Sequence, residues 1–205
     1  MKTSTKLKPY LNDCIEAGVD EVGRGCFSGN VVAAAVILPR DFDHPLVKDS
    51  KKLSEKQRLE AYDIIKNSAL AYSVAYSTVD EIDSINILQA TFQAMWRSLD
   101  GLQIRPEHIL VDGDKFKSYC GIPHTCVVKG DATYYSIAAA SILAKVERDY
   151  YMTQISKEFP LYGWDKNKGY GTLEHRKALL EYGPTPYHRK TFISNYVQAS
   201  GAPLF

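Results

Sequence analysis

The run Val31–Leu38, VVAAAVIL, most constrains what this chain can fold into. It is nearly all apolar, so as a strand it must be buried on both faces. It is also far shorter than a membrane-spanning helix. Pro39 ends it. A strand of this kind belongs inside a sheet, and the neighbouring segments must cover it.

The order of those segments sets the fold class. Ile15–Val22 reads as a strand before the run, and Ala69–Thr78 as one after it, with Tyr72, Val74 and Tyr76 on one face. Between them the polar loop DFDHPLVKDSKKL leads to Ser54, where S-E-K-Q has the form of a capping box. A helix is expected from there to about Asn67. Asn86–Leu99 carries Leu88, Phe92, Met95, Trp96 and Leu99 on an apolar helical stripe. Short strands follow at His108–Val111 and His124–Val128. A long helix then runs from about Thr133 to Phe159, and its SIAAAS segment suits close packing on a sheet. Tyr162–Thr172 reads as loop, Thr172 caps a helix to about Tyr182, and GPTPYHRKTF is punctuated by prolines. Three consecutive strands favour an antiparallel meander, and the later strand–helix alternation favours parallel additions. The expected organisation is an α/β body over residues 1–159 and a small helical C-terminal segment with a tail over 160–205.

Asp20 and Glu21 close the first strand, followed directly by Gly23, Arg24 and Gly25. Adjacent strand side chains point to opposite faces, so a half-buried strand would place one of these charges in the core. Burying an unpaired carboxylate is costly, and a cation at the strand end relieves it. The glycines bracketing Arg24 suggest backbone brought close to a ligand beside a fixed charge. Asp112 and Asp131 stand at later strand ends or turns, where the loops of an open α/β sheet converge. If all four acids met, each pair would repel by about 4 kcal/mol at ~4 Å and an effective dielectric of about 20. All-oxygen ligands suit Mg2+ or Mn2+. Two such ions can clamp the attacking and leaving oxygens of a phosphodiester. Spacing alone leaves a plainer reading open, because Asp-Glu pairs occur on solvated surfaces and VDG and KGD are ordinary turns.

Other chemistries fit less well. Gly23-x-Gly25 with Gly29 loosely echoes a dinucleotide loop, but that loop needs a helix next, and VVAAAVIL is a strand. Cys120, His124 and Cys126 in CGIPHTC lack a fourth zinc ligand at a usual spacing. The formal net charge is only +1, and setting the four acids aside leaves a modest positive excess that permits a polyanion partner. MKTSTKLKPY has no apolar leader core and no run approaches a membrane span, so a cytoplasmic location is expected.

Several ordered motifs resemble one family. Asp20-Glu21-Val22-Gly23-Arg24-Gly25, Asp49-Ser50-Lys51-Lys52-Leu53, Val111-Asp112-Gly113 and Lys129-Gly130-Asp131 are similar to those of bacterial ribonuclease HII. So are Ser136–Asp149 (SIAAASILAKVERD), Gly169-Tyr170-Gly171-Thr172 and His188-Arg189. Phe27, Ser28 and Asn30 depart from the Leu-Ala and Pro expected after the GRG segment. The resemblance implies a ribonuclease H-like fold, a five-stranded mixed sheet flanked by helices. It implies a metal-dependent endonuclease that cuts the RNA-containing strand of RNA/DNA duplexes, including on the 5′ side of single ribonucleotides embedded in DNA. The ends left would be 3′-hydroxyl and 5′-phosphate.

Carried over by position, the resemblance gives Asp20, Glu21, Asp112 and Asp131 the metal-binding catalytic roles, with Mn2+ or Mg2+ as cofactor. Gly23, Arg24 and Gly25 take the reading of the 2′-hydroxyl and phosphate, and Tyr170 packs on the sugar at the RNA–DNA junction. The 2′-hydroxyl is what distinguishes RNA from DNA at a site. Lys51, Lys52, Ser141, Lys145 and Lys168 are candidate phosphate contacts, Lys51 and Ser141 foremost. Lys145 and Asp149 stand four apart on one helix, so an ion pair there is an equal reading, and Asp149 also rivals Asp131 as fourth acid. The tail, QASGAPLF with Gln198, Leu204 and Phe205, resembles bacterial sliding-clamp-binding peptides. The chain is expected to be a monomer. The competing readings are a catalytically silent nucleic-acid-binding module and a ribonuclease H that cuts hybrids broadly but ignores lone ribonucleotides.

Overall fold

The computed structural model describes residues 6–199, with side chains as far as Ser194. β1 (Glu16–Val22), β2 (Val31–Ile37), β3 (Ala71–Ser77), β4 (His108–Asp112) and β5 (His124–Val127) make one sheet in the order β3-β2-β1-β4-β5. β1 pairs antiparallel with β2, and β2 with β3. β4 adds to β1 in parallel, and β5 to β4. This is the meander with parallel additions that the strand order predicts.

The apolar run is buried along the whole of β2. One sheet face, with Val19, Ala33, Ala35 and Val111, packs on Phe92, Met95 and Leu99 of α2 (Val79–Asp100). The other face, with Val32, Ala34 and Val36, packs on Ala61 and Ile65 of α1 (Glu55–Ser68) and on Ala138, Ala139 and Ile142 of α3 (Tyr135–Glu158). The capping box at α1 is formed: Ser54 Oγ accepts from the Gln57 N–H, and Gln57 Oε1 accepts from the Ser54 N–H.

Two expectations need correction. The helix predicted over Asn86–Leu99 starts earlier, at Val79, behind a second capping box between Thr78 and Glu81. The chain then kinks at Asn86 (φ 67°), whose Oδ1 accepts from the N–H groups of Leu88 and Gln89. The apolar stripe therefore marks a second start inside α2, and the turns before it bury only Val79 and Ile82 among VDEIDS, too short a pattern to stand out. The segment Tyr162–Thr172 is also more ordered than its composition suggests. A turn at Pro160–Tyr162 and α4 (Trp164–Asn167) precede α5 (Leu173–Tyr182), which Thr172 caps as expected. These turns wrap the fully buried Trp164 with Tyr162, Ala178, Met152 and Ile155. α6 (Lys190–Ala199) follows the prolines. The clamp-like tail, beyond the backbone of Gln198 and Ala199, lies outside the described residues.

One contact sets the depth of α3 on the sheet. A Cβ on Gly18 would stand 2.2 Å from the Ser136 carbonyl carbon and 2.4 Å from the Ile137 nitrogen. Helix backbone thus lies directly on strand backbone. From that point Ile137 to Ser141 climbs about 6 Å along the helix, while Gly18 to Asp20 climbs about 6.6 Å along the strand. The close contact therefore delivers Ser141 to Asp20. Replacing Gly18 with alanine pushes against backbone that has no room to yield. Gly18→Ala is expected to destabilise the fold by on the order of 3 kcal/mol, read as a lowered urea midpoint with an unchanged slope.

Candidate active site

Val19 and Val111 are cross-strand partners in the parallel pair β1–β4, so Asp20 and Asp112 leave adjacent strand ends one residue later. Both lie on the α3 side, with Gly18 and Leu110. Glu21 takes the opposite face, and its Oε1 accepts from Arg24 Nη1 at 3.2 Å. Asp112 Oδ1 accepts from the Gly130 N–H at 2.7 Å, which draws the turn Gly130–Ala132, and with it Asp131, onto the end of β4. Asp20 Oδ1 accepts from the Glu21 N–H at 2.7 Å, and the Ser141 hydroxyl also bonds this carboxyl. Ser141 Oγ in turn lies 2.9 Å from Ser50 Oγ.

The electrostatics follow from that crowding. Burial, then the charges of Glu21 and Asp112, hold the Asp20 carboxyl well above the ordinary range, against the opposing pull of Ser141 and the Glu21 N–H. Burial also raises Glu21, although Arg24 works the other way. Asp131 is raised by burial, with Asp112 and Asp49 adding and Lys51 opposing. Like charges are near enough to penalise one another, yet each is held on its own hydrogen bonds. Among the described residues no three His, Cys, Asp or Glu side chains already stand at ligating spacing. The donors at this sheet end are all carboxylate oxygens, which fits Mg2+ or Mn2+. A divalent cation is also the group that offsets this repulsion.

The other predicted residues fall into two groups. Lys51 lies close enough to be felt at Asp131, and its backbone N–H caps onto Asp49 Oδ1. Ser141, expected at a phosphate, is instead a buried partner of Asp20 and Ser50. Lys145 Nζ is engaged by Asp149 Oδ1 at 2.6 Å, and Asp149 also faces Arg58 at 3.9 Å. Asp149 thus sits among cations, whereas Asp131 sits with Asp112.

The loop after β1 is fastened from behind. Cys26 bridges to Tyr170 and Ser28 to His188, so this segment lies between two distant parts of the chain. Arg148 donates to the carbonyls of Ser28, Asn30 and Lys168 at 3.1, 3.1 and 2.8 Å. Arg189 donates twice to the Gly29 carbonyl, at 2.9 and 2.7 Å, and once to that of Arg24 at 2.9 Å. Both guanidiniums are fully buried, and neither forms an ion pair among the described residues. Loop carbonyls stand in for the carboxylates that buried cations usually require. Sequence reasoning assigned neither arginine a role. The available signal was Arg148 interrupting the buried helical stripe of Ala144, Met152 and Ile155.

The two loop glycines differ in cause. Gly23 has φ 95°, and a Cβ there would strike Arg148 Nε at 2.2 Å. Gly25 has no such demand, since a Cβ would meet nothing within 4 Å. Its opening faces outward, beside the half-exposed Tyr170.

A mixed five-stranded sheet with acids gathered at its parallel strand ends defines a nuclease-type α/β site on a ribonuclease H-like fold. The family model described as Ribonuclease HII matches residues 17–195. The ribonuclease HII of Bacteroides thetaiotaomicron is 58% identical over 187 residues, covering 91% of this chain and 94% of that one. The crystal structure of the ribonuclease H2 from Pyrococcus horikoshii superposes with TM-score 0.77 at 27% identity, over 92% of this chain and 99% of that one. The Archaeoglobus fulgidus ribonuclease HII, solved in a complex with PCNA, gives TM-score 0.68 at 27% identity, covering 85% and 93%. Bst-RNase HIII, solved with Mn2+, shares the fold at TM-score 0.69 and 19% identity, covering 94% and 71%. The chain belongs to the ribonuclease HII family, and it is an endonuclease of the ribonuclease H type.

Folding raises the Asp20 pKa, so the ionised carboxylate costs stability at any pH above its unfolded value, and that cost vanishes below it. In metal-free buffer at pH 7.5, Asp20→Asn is expected to raise the melting temperature, by about 2–4 °C per kcal/mol relieved. The gain should fade as the pH falls toward the ordinary carboxyl value of 3.8. Calorimetry across pH checks both points.

Proposed function

We propose that this chain hydrolyses the RNA-containing strand of RNA/DNA duplexes, including on the 5′ side of a single ribonucleotide in DNA, leaving 3′-hydroxyl and 5′-phosphate ends. One observation carries the reading. β1 carries Asp20 and Glu21 just before its last residue, Val22, and runs straight into the loop that Arg148 and Arg189 fasten beside Tyr170. Cleavage acids and a reader of the sugar thus hang from one strand.

In this reading Asp20, Glu21, Asp112 and Asp131 hold divalent ions. When bound, Mg2+ or Mn2+ would supply Lewis-acid stabilisation of the attacking and leaving oxygens of in-line hydrolysis. The Mn2+ in the solved Bst-RNase HIII supports that choice of ion class. The loop supplies selectivity. Arg189 holds the Arg24 carbonyl inward, and in a planar trans peptide the Gly25 N–H must then point the other way. That N–H, beside the open space over Gly25, is placed to meet a 2′-hydroxyl. A site built to hydrogen-bond a hydroxyl rejects an analogue lacking it by ~10⁴–10⁵. Tyr170 offers a face to the adjoining sugar, Arg24 and Lys51 lie in reach of the phosphates, and Lys145 reaches them when its pair with Asp149 opens.

The archaeal neighbour solved with PCNA supports a second contact, between the tail Gln198–Phe205 and a sliding clamp. Deleting that tail should abolish clamp pull-down and leave cleavage intact.

The deciding assay compares three duplexes: one with a single ribonucleotide, one all DNA, and one a long RNA–DNA hybrid. Each is tested with Mg2+, Mn2+ or chelator. Cutting beside the lone ribonucleotide only with metal is expected, with a loss on the order of 10³-fold in Asp20→Asn. Efficient cutting of the hybrid alone would replace the reading with the broad hybrid-cleaving type. Tight binding without cutting in any metal would replace it with a silent binding module.

A further inference from the structure

Behind the loop lies a buried polar cluster that the acids and arginines do not use. His175 and His188 are both buried, with Nε2 atoms 3.1 Å apart. Trp164 Nε1 lies 3.1 Å from His175 Nε2, and Ser28 Oγ lies 3.3 Å from it. His175 Nδ1 lies 2.9 Å from the Tyr170 carbonyl oxygen. At the far end, the Thr185 N–H meets His188 Nδ1 at 3.0 Å.

These partners leave one assignment of protons. An indole nitrogen and a backbone N–H can only donate. Trp164 therefore makes His175 Nε2 an acceptor, which puts the His175 proton on Nδ1, donated to the Tyr170 carbonyl. Thr185 likewise makes His188 Nδ1 an acceptor, so the His188 proton sits on Nε2, facing the His175 Nε2 lone pair that already takes the Trp164 N–H. Burial, then His175, pushes His188 down to about 3, and burial lowers His175 too, so both rings are neutral at physiological pH. Thr172 fixes where the chain enters α5: its Oγ1 accepts from the His175 N–H, and its own N–H bonds the same Tyr170 carbonyl.

We infer that His175 is a positioning residue that holds Tyr170 in place through its Nδ1 donation, so that the Tyr170 ring meets the junction sugar. The His175 Nδ1 side holds the Tyr170 backbone, and its Nε2 side is anchored by Trp164, with His188 and Ser28 packed alongside. The task needs a neutral, buried donor facing the Tyr170 carbonyl, and a neutral histidine protonated on Nδ1 meets that description. The inference rests on the lone-ribonucleotide reading proposed above.

Two substitutions separate the edges. In His175→Asn the amide nitrogen can keep the donation to Tyr170, whereas in His175→Gln the amide oxygen can keep only the acceptor. Cleavage of the single-ribonucleotide duplex is measured for each, in the native and Tyr170→Ala backgrounds, with melting temperatures alongside. His175→Asn should stay within about threefold in kcat/KM, and His175→Gln should lose on the order of 10²-fold, as expected for a displaced positioning group. The His175→Gln loss should shrink to near nothing in Tyr170→Ala, because coupled sites are not additive. Equal losses in both variants, or a full His175→Gln loss without Tyr170, would overturn the inference. An inactive wild type would sink the lone-ribonucleotide reading instead. Nitrogen-15 NMR of the wild-type histidines gives a readout independent of activity and of variant folding. Protonation of His175 on Nε2, or of His188 on Nδ1, would overturn the inference outright.

Discussion

The whole site depends on how closely α3 lies on β1. Backbone meets backbone at Gly18, and alanines on both sides keep the layers thin: Ala34 in the sheet, Ala138 and Ala139 on the helix. Larger side chains there would lift the helix, and Ser141 and Arg148 would rise with it. With the helix seated, Ser141 bonds Asp20 and Arg148 reaches under the loop. The smallest residues in the fold thus govern the placement of its most polar ones.

Above that contact the site is deliberately unfavourable as a protein by itself. Carboxyls that belong at the surface are crowded at a buried strand end, where desolvation and mutual repulsion raise Asp20, Glu21 and Asp131. Such cost is tolerated where a ligand removes it. The loop beside them carries the opposite bargain. Two guanidiniums are buried without carboxylates, and their donor groups are met by backbone carbonyls. That arrangement leaves the loop rigid, positively backed and with at least one peptide N–H turned outward. Negative groups on one side and a positive backing on the other suit a substrate that is an anion bound through metal.

Local pattern made much of this legible. The strand ends, the capping box at Ser54 and the helix after Thr172 rest on patterns within a few residues, and each appears where the pattern places it; the meander follows from strand order, although β2 and β3 pair residues as far apart as Val31 and Ser77. The adjacency of Asp20 and Asp112 followed from strand ends in an open sheet. Less legible were the first turns of α2, where VDEIDS offers only Val79 and Ile82 to the core, and the short helix around Trp164, whose glycines and lysines read as loop. Ser141 was expected to face substrate, and only packing identifies its partners Ser50 and Asp20, whereas the pairing of Lys145 with Asp149 was already one of two readings of their i,i+4 spacing.

The sequence by itself determined the alternation of strands and helices, the position of each acid relative to a strand end, and the family. Those properties are written in periodicity, in caps and in ordered motifs, all of which act over short stretches of chain. Tertiary structure alone decided that Arg148, Arg189, His175 and His188 are interior residues, and what they hold. The carbonyls that satisfy Arg148 and Arg189 lie between 20 and 165 residues away along the chain. A charge is stable in the core only if such oxygens arrive there, and no local pattern carries the information that they do.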